Sequence, residues 1–247
     1  MRLKGKVALV TGGAVRIGRA VCLALADEGA DVVIHYRRSA REARSLRAEL
    51  VRRGARAFTV YGALDSRAGC ARIVREARRA AGGLDILVNN AAVFHKRTLR
   101  RATAREFEEE FRPNLFAPAL LMSAFARAEK EGQIVNLLDR RVEGLDWRCT
   151  PYVLSKKALA ELTRMAALEL APRFRVNAVA PGAVLPPPGK GSGRSRDRAG
   201  PVPLRRPCTP ADIAAAVVFL LRSDSITGQI VFVDGGQHLL GEWASGT

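Results

Sequence analysis

The chain has 247 residues, of which 48% are hydrophobic, and 41 basic against 24 acidic side chains give it a formal net charge of +17. No stretch reaches the apolar length of a membrane-spanning helix, and the first apolar run, residues 7–10, is too short for a secretory leader. The four cysteines show no C-x-x-C spacing, which argues against a zinc site or a redox motif. We therefore expect a cytoplasmic protein without a metal site.

Short apolar runs with β-type composition recur along the chain. They cover residues 7–10, 32–35, 57–60, 86–88, 134–138, 175–179 and 229–233. Segments of helical length, rich in Ala, Leu, Arg and Glu, separate most of them. This alternation predicts one α/β domain over residues 1–247, a doubly wound parallel sheet of about seven strands with helices on both faces.

A glycine-rich turn follows the first run. Residues 11–18 read TGGAVRIG and lead into a helix predicted from about Ile17 to Ala26. Glycines let the backbone approach a phosphate, and a helix N-terminus offers unpaired N–H groups to it. The spacing departs from the dinucleotide pattern G-x-G-x-x-G, because Arg16 stands where a middle glycine is expected. A tight structural turn remains an equal alternative from this motif alone.

Two arginines and a serine come directly after the second run. In dinucleotide-binding folds, an acidic residue near this point binds the ribose hydroxyls of NAD, whereas arginine accommodates the 2′-phosphate of NADP. Here Arg37, Arg38 and Ser39 offer charge-assisted donors and no acid is present. The sequence therefore favours NADPH. The alternative is an arginine pair that only begins a basic helix.

Tyr152 and Lys156 are four residues apart, and Asp139 lies thirteen residues before Tyr152. On a helix, a Tyr and a Lys at this spacing share one face, where the ammonium is expected to lower the phenol's pKa and make it a usable proton donor. Asp139 follows the apolar run 134–138, so its carboxylate is expected beside that phenol. The alternative for Asp139 is an ordinary salt bridge with Arg140 or Arg141.

Four segments together resemble the short-chain dehydrogenase/reductase family, and within it the pteridine and dihydromonapterin reductases. They are residues 11–18, the sequence HYRRS at 35–39, the sequence NNAAVF at 89–94, and Asp139 with Tyr152 and Lys156. Ordinary members carry Ser at the position of Asp139, whereas pteridine reductases carry Asp. The resemblance covers nearly the whole chain and implies a Rossmann-type domain that reduces a pterin or a related C=N substrate with NADPH.

The resemblance also assigns roles to individual residues. It implies that Phe94 stacks on the pterin, that Arg16 contacts phosphate and substrate, and that Asn114 anchors a water relay to Lys156. A core Phe and a structural helix cap are the alternatives for Phe94 and Asn114. The cofactor contacts implied, besides Tyr152, Lys156 and the residues after the second run, are Gly12, Arg16, Ile17, Gly18, Asn90, Ala91, Pro181 and Gly182. A tetramer and a substrate-loop lid at residues 183–207 are implied as well.

Two positions depart from the family pattern. Ala92 stands where the family often has Ser, and Ala63 stands where it usually has an adenine-contacting Asp; Asp65 is a possible substitute. Within the enzyme class, the alternative is a carbonyl or 3-oxoacyl thioester reductase with the same machinery. Outside it, the +17 charge permits a non-catalytic nucleic-acid-binding protein. We expect no specific nucleic-acid binding, because the arginines alternate with Ala and Glu on amphipathic helices and no nucleic-acid motif accompanies them.

Overall fold

The fold is a single parallel sheet of seven strands, described here from a computed structural model that covers residues 2–184 and 201–240. The strand order is β3-β2-β1-β4-β5-β6-β7, and every neighbouring pair runs parallel. The strands are β1 (Val7–Val10), β2 (Asp31–Tyr36), β3 (Ala57–Tyr61), β4 (Ile86–Asn89), β5 (Gly132–Leu137), β6 (Phe174–Pro181) and β7 (Ile230–Val233). The predicted fold class is confirmed.

Helices cover both faces of this sheet. Seven α-helices belong to the described residues: α1 (Arg16–Asp27), α2 (Ala40–Arg52), α3 (Arg67–Ala81), α4 (Ala104–Phe111), α5 (Ala117–Ala128), α6 (Thr150–Leu170) and α7 (Pro210–Arg222). One apolar layer joins the sheet to α1, α2 and α7, and the other joins it to α3, α5 and α6. With helices on both faces, the inner strands are buried along their length, which explains their uninterrupted apolar composition.

The strand order reverses between β1 and β4, which lie side by side at the centre. In doubly wound sheets, ligands bind outside the carboxyl ends of the strands at this switch point. The segments after β1, β4, β5 and β6 carry most of the predicted site residues and therefore meet at one edge. Across the described ranges, none of the helices combines the length and the apolar character that crossing a bilayer requires.

Candidate active site

The glycine-rich turn after β1 is packed so tightly against the end of β4 that two of its positions need glycine. Gly12 has a φ of +60°, in the left-handed region. A Cβ on Gly18 would lie 2.3 Å from the Gly12 carbonyl oxygen and 2.6 Å from Asn90 Nδ2. Asn90 Nδ2 donates to the carbonyls of Thr11 and Gly12, at 2.8 and 3.1 Å. The turn at the start of α1 is therefore a fixed cradle of the kind that binds a pyrophosphate.

Two buried side chains that we did not single out from the sequence hold this cradle. The Thr11 hydroxyl accepts hydrogen bonds from the backbone N–H groups of Asn90 and Ala91, at 2.9 and 3.0 Å. His35 Nδ1 accepts from the Gly12 N–H at 3.2 Å, and its Nε2 lies 3.1 Å from the Gly62 carbonyl oxygen. Burial lowers the pKa of His35 to about 4, so the ring is neutral and keeps one acceptor nitrogen for the loop.

Arg16 begins α1 in a strained backbone conformation. Its φ is +55°, in the left-handed region that glycine adopts easily and other residues rarely occupy. The glycine missing from the sequence pattern is thus replaced by an arginine that keeps a glycine-like backbone. Retained strain of this kind is characteristic of functional sites. Ile17 follows Arg16 on α1, half-buried against the core beneath the loop.

Arg37 and Arg38 are exposed after β2, and within the described ranges no ion pair joins either guanidinium to a carboxylate. Ser39 precedes α2 without capping it through its side chain. Beside them, the Tyr36 and Tyr61 rings lie 5.8 Å apart. The three predicted 2′-phosphate contacts thus lie together at the carboxyl end of β2. Asp65 is exposed and Ala63 is half-buried before α3; the suggestion that Asp65 contacts adenine stays a prediction.

Tyr152 and Asp139 are in direct contact. The Tyr152 hydroxyl donates to Asp139 Oδ2 at 2.9 Å. Asp139 follows β5 and caps a short 3₁₀ turn, where its Oδ1 accepts from the Arg141 N–H at 2.9 Å. Tyr152 lies in the first turn of α6 and is 6% exposed. The end of β5 and the start of α6 therefore bring together the two residues that the sequence spacing singled out.

The protonation of Tyr152 differs from the sequence-based expectation. Burial and then the negative charge of Asp139 raise the pKa of Tyr152 well above its usual value. Lys156 was expected to lower this pKa. In the structure its ammonium instead donates to the Leu137 carbonyl oxygen at 2.7 Å. The phenol therefore keeps its proton at neutral pH, and Asp139 is the acceptor nearest to it.

Arg141 joins Asp139 to a second acid. Its Nη1 lies 3.2 and 3.1 Å from the two oxygens of Asp139, and its Nε donates to Asp146 Oδ2 at 2.9 Å. Burial works against the charge of Arg141, but Asp139 and Asp146 together raise its pKa above the usual value. The carboxylate that accepts the Tyr152 hydrogen bond is thus also the salt-bridge partner of Arg141, and the catalytic role of Asp139 stays a prediction.

Phe94 lies over this network rather than in the core. Its ring centroid is 4.7 Å from that of Tyr152, at an interplanar angle of 85°, and the Arg141 guanidinium carbon is 5.5 Å from the ring centre. The side chain is 41% exposed. An aromatic surface beside a phenol and a guanidinium suits a flat polar ring.

Lys156 is buried beneath the site, one helical turn after Tyr152. It is 3% exposed, and burial lowers its pKa to about 8, against the opposing charges of Asp139 and Glu110. Both carboxylates therefore help to keep Lys156 charged near neutral pH.

Asn114 lies in a π-turn, Arg112–Phe116, that connects α4 to α5 and contains Pro113. Proline lacks the N–H that a regular helix requires, which accounts for the widened turn. Asn114 is fully buried; its side chain exchanges hydrogen bonds with the backbone of Val93 and donates to Glu110 and Ser155. It thus holds the backbone that precedes Phe94. Its role in a water relay stays a prediction.

The remaining predicted contacts are placed around the same edge. Ala91 follows Asn90 in the chain, and its backbone N–H donates to the Thr11 hydroxyl beside the glycine-rich turn. At Gly182, directly after Pro181 at the end of β6, a Cβ would lie 2.8 Å from the Cα of Asp234. Of the predicted lid, residues 183–207, the part from 185 to 200 lies outside the described residues. Residues 201–207 lie against the turn after β7, where Leu204 N–H donates to the Gly235 carbonyl oxygen at 3.1 Å.

Comparison with known proteins identifies the family. The family profile described as enoyl-(acyl carrier protein) reductase matches residues 13–238. The chain belongs to the short-chain dehydrogenase/reductase family of oxidoreductases.

Relatives with different names cover nearly all of the chain. Pteridine reductase 1 of Leishmania tarentolae is 35% identical over 94% of this chain and 96% of its own length. Glucose and ribitol dehydrogenase homolog 2 of Arabidopsis thaliana is also 35% identical, over 95% of this chain and 86% of its own length. The crystal structure of FolM alternative dihydrofolate reductase 1 from Brucella canis, complexed with NADP, has a TM-score of 0.91 at 34% identity and covers 96% of both chains. The expectation of an NADP-type cofactor agrees with that complex.

The strained backbone of Arg16 predicts that Arg16→Gly separates stability from binding. Glycine removes a left-handed penalty of roughly 1–2 kcal/mol that alanine keeps, so the melting temperature of Arg16→Gly should be above that of Arg16→Ala, which loses the same guanidinium. Loss of the guanidinium should weaken NADPH binding by about tenfold or more, since charge-assisted hydrogen bonds contribute roughly 1.5–3 kcal/mol. Arg16→Ala is the matched control and should show the same loss of binding with lower stability. Equal stability of the two variants would contradict the argument from strain.

Burial of Lys156 predicts a pH limit on the cofactor-free enzyme. Because its pKa is lowered to about 8, the ammonium should lose its proton well below pH 10, and kcat/KM for NADPH should fall above about pH 8. Steady-state rates between pH 6 and 10 with one reducible substrate measure this. Lys156→Arg keeps a cation throughout that range, so the kcat/KM of its residual activity should not fall above about pH 8. A wild-type profile that stays level to pH 10 would refute the assignment.

Proposed function

We propose that the protein is an NADPH-dependent reductase of a pterin or a related C=N compound. The observation that carries this proposal is the 2.9 Å hydrogen bond from Tyr152 to Asp139, beside the exposed ring of Phe94. Reduction of a C=N bond needs a hydride on carbon and a proton on nitrogen. A phenol paired with a carboxylate can hold and direct that proton.

The residues of the glycine-rich turn and of the end of β2 fit NADPH. The cradle around Gly12 and Gly18 leaves no room for side chains where a pyrophosphate would approach, and Arg37 and Arg38 project from the adjacent strand end without carboxylate partners in the described ranges. NADPH, when bound, supplies the hydride. Lys156, charged and buried beneath Tyr152, is suited to hold the nicotinamide ribose.

Asp139 and Tyr152 both take part in protonating the substrate nitrogen. The phenol retains its proton because burial and Asp139 oppose its ionisation, and this proton points towards Asp139. When electron density builds up on a substrate nitrogen, Asp139 can take the proton of the Tyr152 hydroxyl and pass it to that nitrogen, which leaves a tyrosinate and restores the carboxylate. Arg141 fixes the orientation of the carboxylate through its contacts to both oxygens.

Phe94 and Arg141 support a flat, electron-rich substrate. Phe94 offers aromatic surface at the site entrance, and Arg141 lies within cation–π distance of it. Pteridine reductase 1 and the FolM alternative dihydrofolate reductase are among the similar proteins, which agrees with a pterin-like substrate. The sugar-alcohol dehydrogenase homolog of Arabidopsis thaliana favours a carbonyl substrate as the second candidate.

The cofactor assignment predicts a preference for NADPH over NADH. In an Arg37→Ala/Arg38→Ala variant, each lost charge-assisted contact should cost about 1.5–3 kcal/mol of binding free energy. The KM for NADPH should rise by at least tenfold, whereas the KM for NADH should change little. Arg41→Ala, on the exposed first turn of α2, serves as the basic-surface control. Equal kcat/KM values with NADPH and NADH in the wild type would contradict the assignment of NADPH as the cofactor.

The substrate assignment is tested by Asp139→Ser. Loss of the carboxylate should lower kcat/KM for 7,8-dihydrobiopterin by about 10²-fold or more, the scale of a lost acid–base group. The new hydroxyl can still polarise a carbonyl, so a simple ketone should lose less or gain. Arg148→Ala is the control, because it removes the outer partner of Asp146 and leaves the Asp139–Arg141 contact in place. An unchanged ratio between the two substrates would favour the carbonyl alternative.

A further inference from the structure

Helix α4 carries four glutamates, and one of them is unlike the others. Glu106 pairs with Arg97, Glu108 with Arg112 at 3.0 Å, and Glu109 with Arg105 at 2.9 Å, all near the surface. Glu110 is 2% exposed, and in the described part of the chain no Lys or Arg forms an ion pair with it. A carboxylate is seldom buried without compensating contacts, so its surroundings require an explanation.

Glu110 connects the surface to the interior of the site. Its Oε1 accepts hydrogen bonds from the His95 backbone N–H at 2.7 Å and lies 2.9 Å from His95 Nδ1. Its Oε2 accepts from Asn114 Nδ2 at 2.9 Å. The His95 side chain is 52% exposed. An imidazole that faces a buried carboxylate through one nitrogen and is half exposed to water has the geometry of a proton shuttle.

The inner side of Glu110 faces the catalytic helix. Asn114 Nδ2 also lies 3.2 Å from the Ser155 hydroxyl, next to Lys156 in the chain. Glu110 is close enough to Lys156 for its negative charge to oppose the effect of burial on that ammonium. The carboxylates that act on Lys156 are Asp139 from the end of β5 and Glu110 from α4, and the group facing Glu110 from the outside is His95.

Every reduction transfers a hydride to the substrate and removes one proton from the Tyr152–Asp139 pair, and both residues are buried or half-buried. We propose that His95 and Glu110 form the solvent-facing end of the path that returns this proton to Lys156 and Tyr152, a role that rests on the reductase function proposed above. In each cycle Lys156 gives a proton to the tyrosinate, the imidazolium of His95 gives its Nδ1 proton to the Glu110 carboxylate, and Glu110 passes that proton to the neutral lysine. The neutral imidazole, which keeps its Nε2 proton, then takes up one proton from solvent and is an imidazolium again.

Burial raises the pKa of Glu110, although His95 and Asn114 stabilise its charge. A carboxylate with a raised pKa accepts and releases protons closer to neutral pH, as a relay group must. Glu110 and His95 are positioning residues in this scheme, because neither contacts the reacting atoms.

The test compares NADPH oxidation by the wild type, His95→Ala, Glu110→Gln and the surface control Glu109→Gln, with the fastest substrate among 7,8-dihydrobiopterin and a simple ketone. His95→Ala should lower kcat by about tenfold with KM within about twofold, and added imidazole should restore the rate. Glu110→Gln should lower kcat similarly without rescue by imidazole, and Glu109→Gln should resemble the wild type. A His95→Ala enzyme that keeps its kcat, or that imidazole does not rescue, would overturn the proposal.

A second measurement needs no turnover. In the cofactor-free protein with ¹³C-labelled lysine, the Lys156 resonance, assigned with Lys156→Arg, should titrate at lower pH in Glu110→Gln than in the wild type, because a neighbouring negative charge is lost. Glu109→Gln should leave it unchanged. An unmoved Lys156 titration in Glu110→Gln would overturn the relay. Absence of turnover with both substrates would instead refute the proposed function, so the two failures are distinguishable.

Discussion

The hydrogen bond from Tyr152 to Asp139 joins the end of β5 to the first turn of α6, and the surrounding charges are arranged around it. Arg141 holds the Asp139 side chain in the orientation that accepts this bond, since it contacts both carboxylate oxygens and is itself held by Asp146. The site is therefore a chain of alternating charges that ends on one phenol.

A second set of charges lies beneath the first. Lys156 is buried, and the negative charges of Asp139 and Glu110 both oppose the lowering of its pKa. The exposed side chain of His95 contacts Glu110 from the surface. Buried charges of one sign are costly unless opposite charges and hydrogen bonds compensate them. Here the opposing charges come from the end of β5 and from α4, and Asn114 in the π-turn joins α4 and α6 to the backbone of Val93 through four hydrogen bonds.

The sequence predicted the fold and the strand ends at which the candidate site residues meet, because both depend on simple regularities. Apolar runs separated by amphipathic helices gave the sheet, and the carboxyl ends of parallel strands brought Gly12, Asn90 and Asp139 to one edge. The ionisation of Tyr152 was not predictable, since it depends on burial and on which groups are in contact. His35 resembled an ordinary strand residue, and Glu110 was one of four glutamates on an amphipathic helix, so neither spacing nor composition distinguished it.

The central claim is that the Asp139 charge holds the proton on Tyr152, and direct titration of the phenol tests it. Ultraviolet difference spectra at increasing pH report tyrosine ionisation, and subtraction of a Tyr152→Phe protein isolates Tyr152 from Tyr36 and Tyr61. In Asp139→Asn, which keeps the shape of the side chain and removes its charge, Tyr152 should ionise at lower pH than in the wild type. Ionisation of Tyr152 at the same or a higher pH in Asp139→Asn would contradict the account.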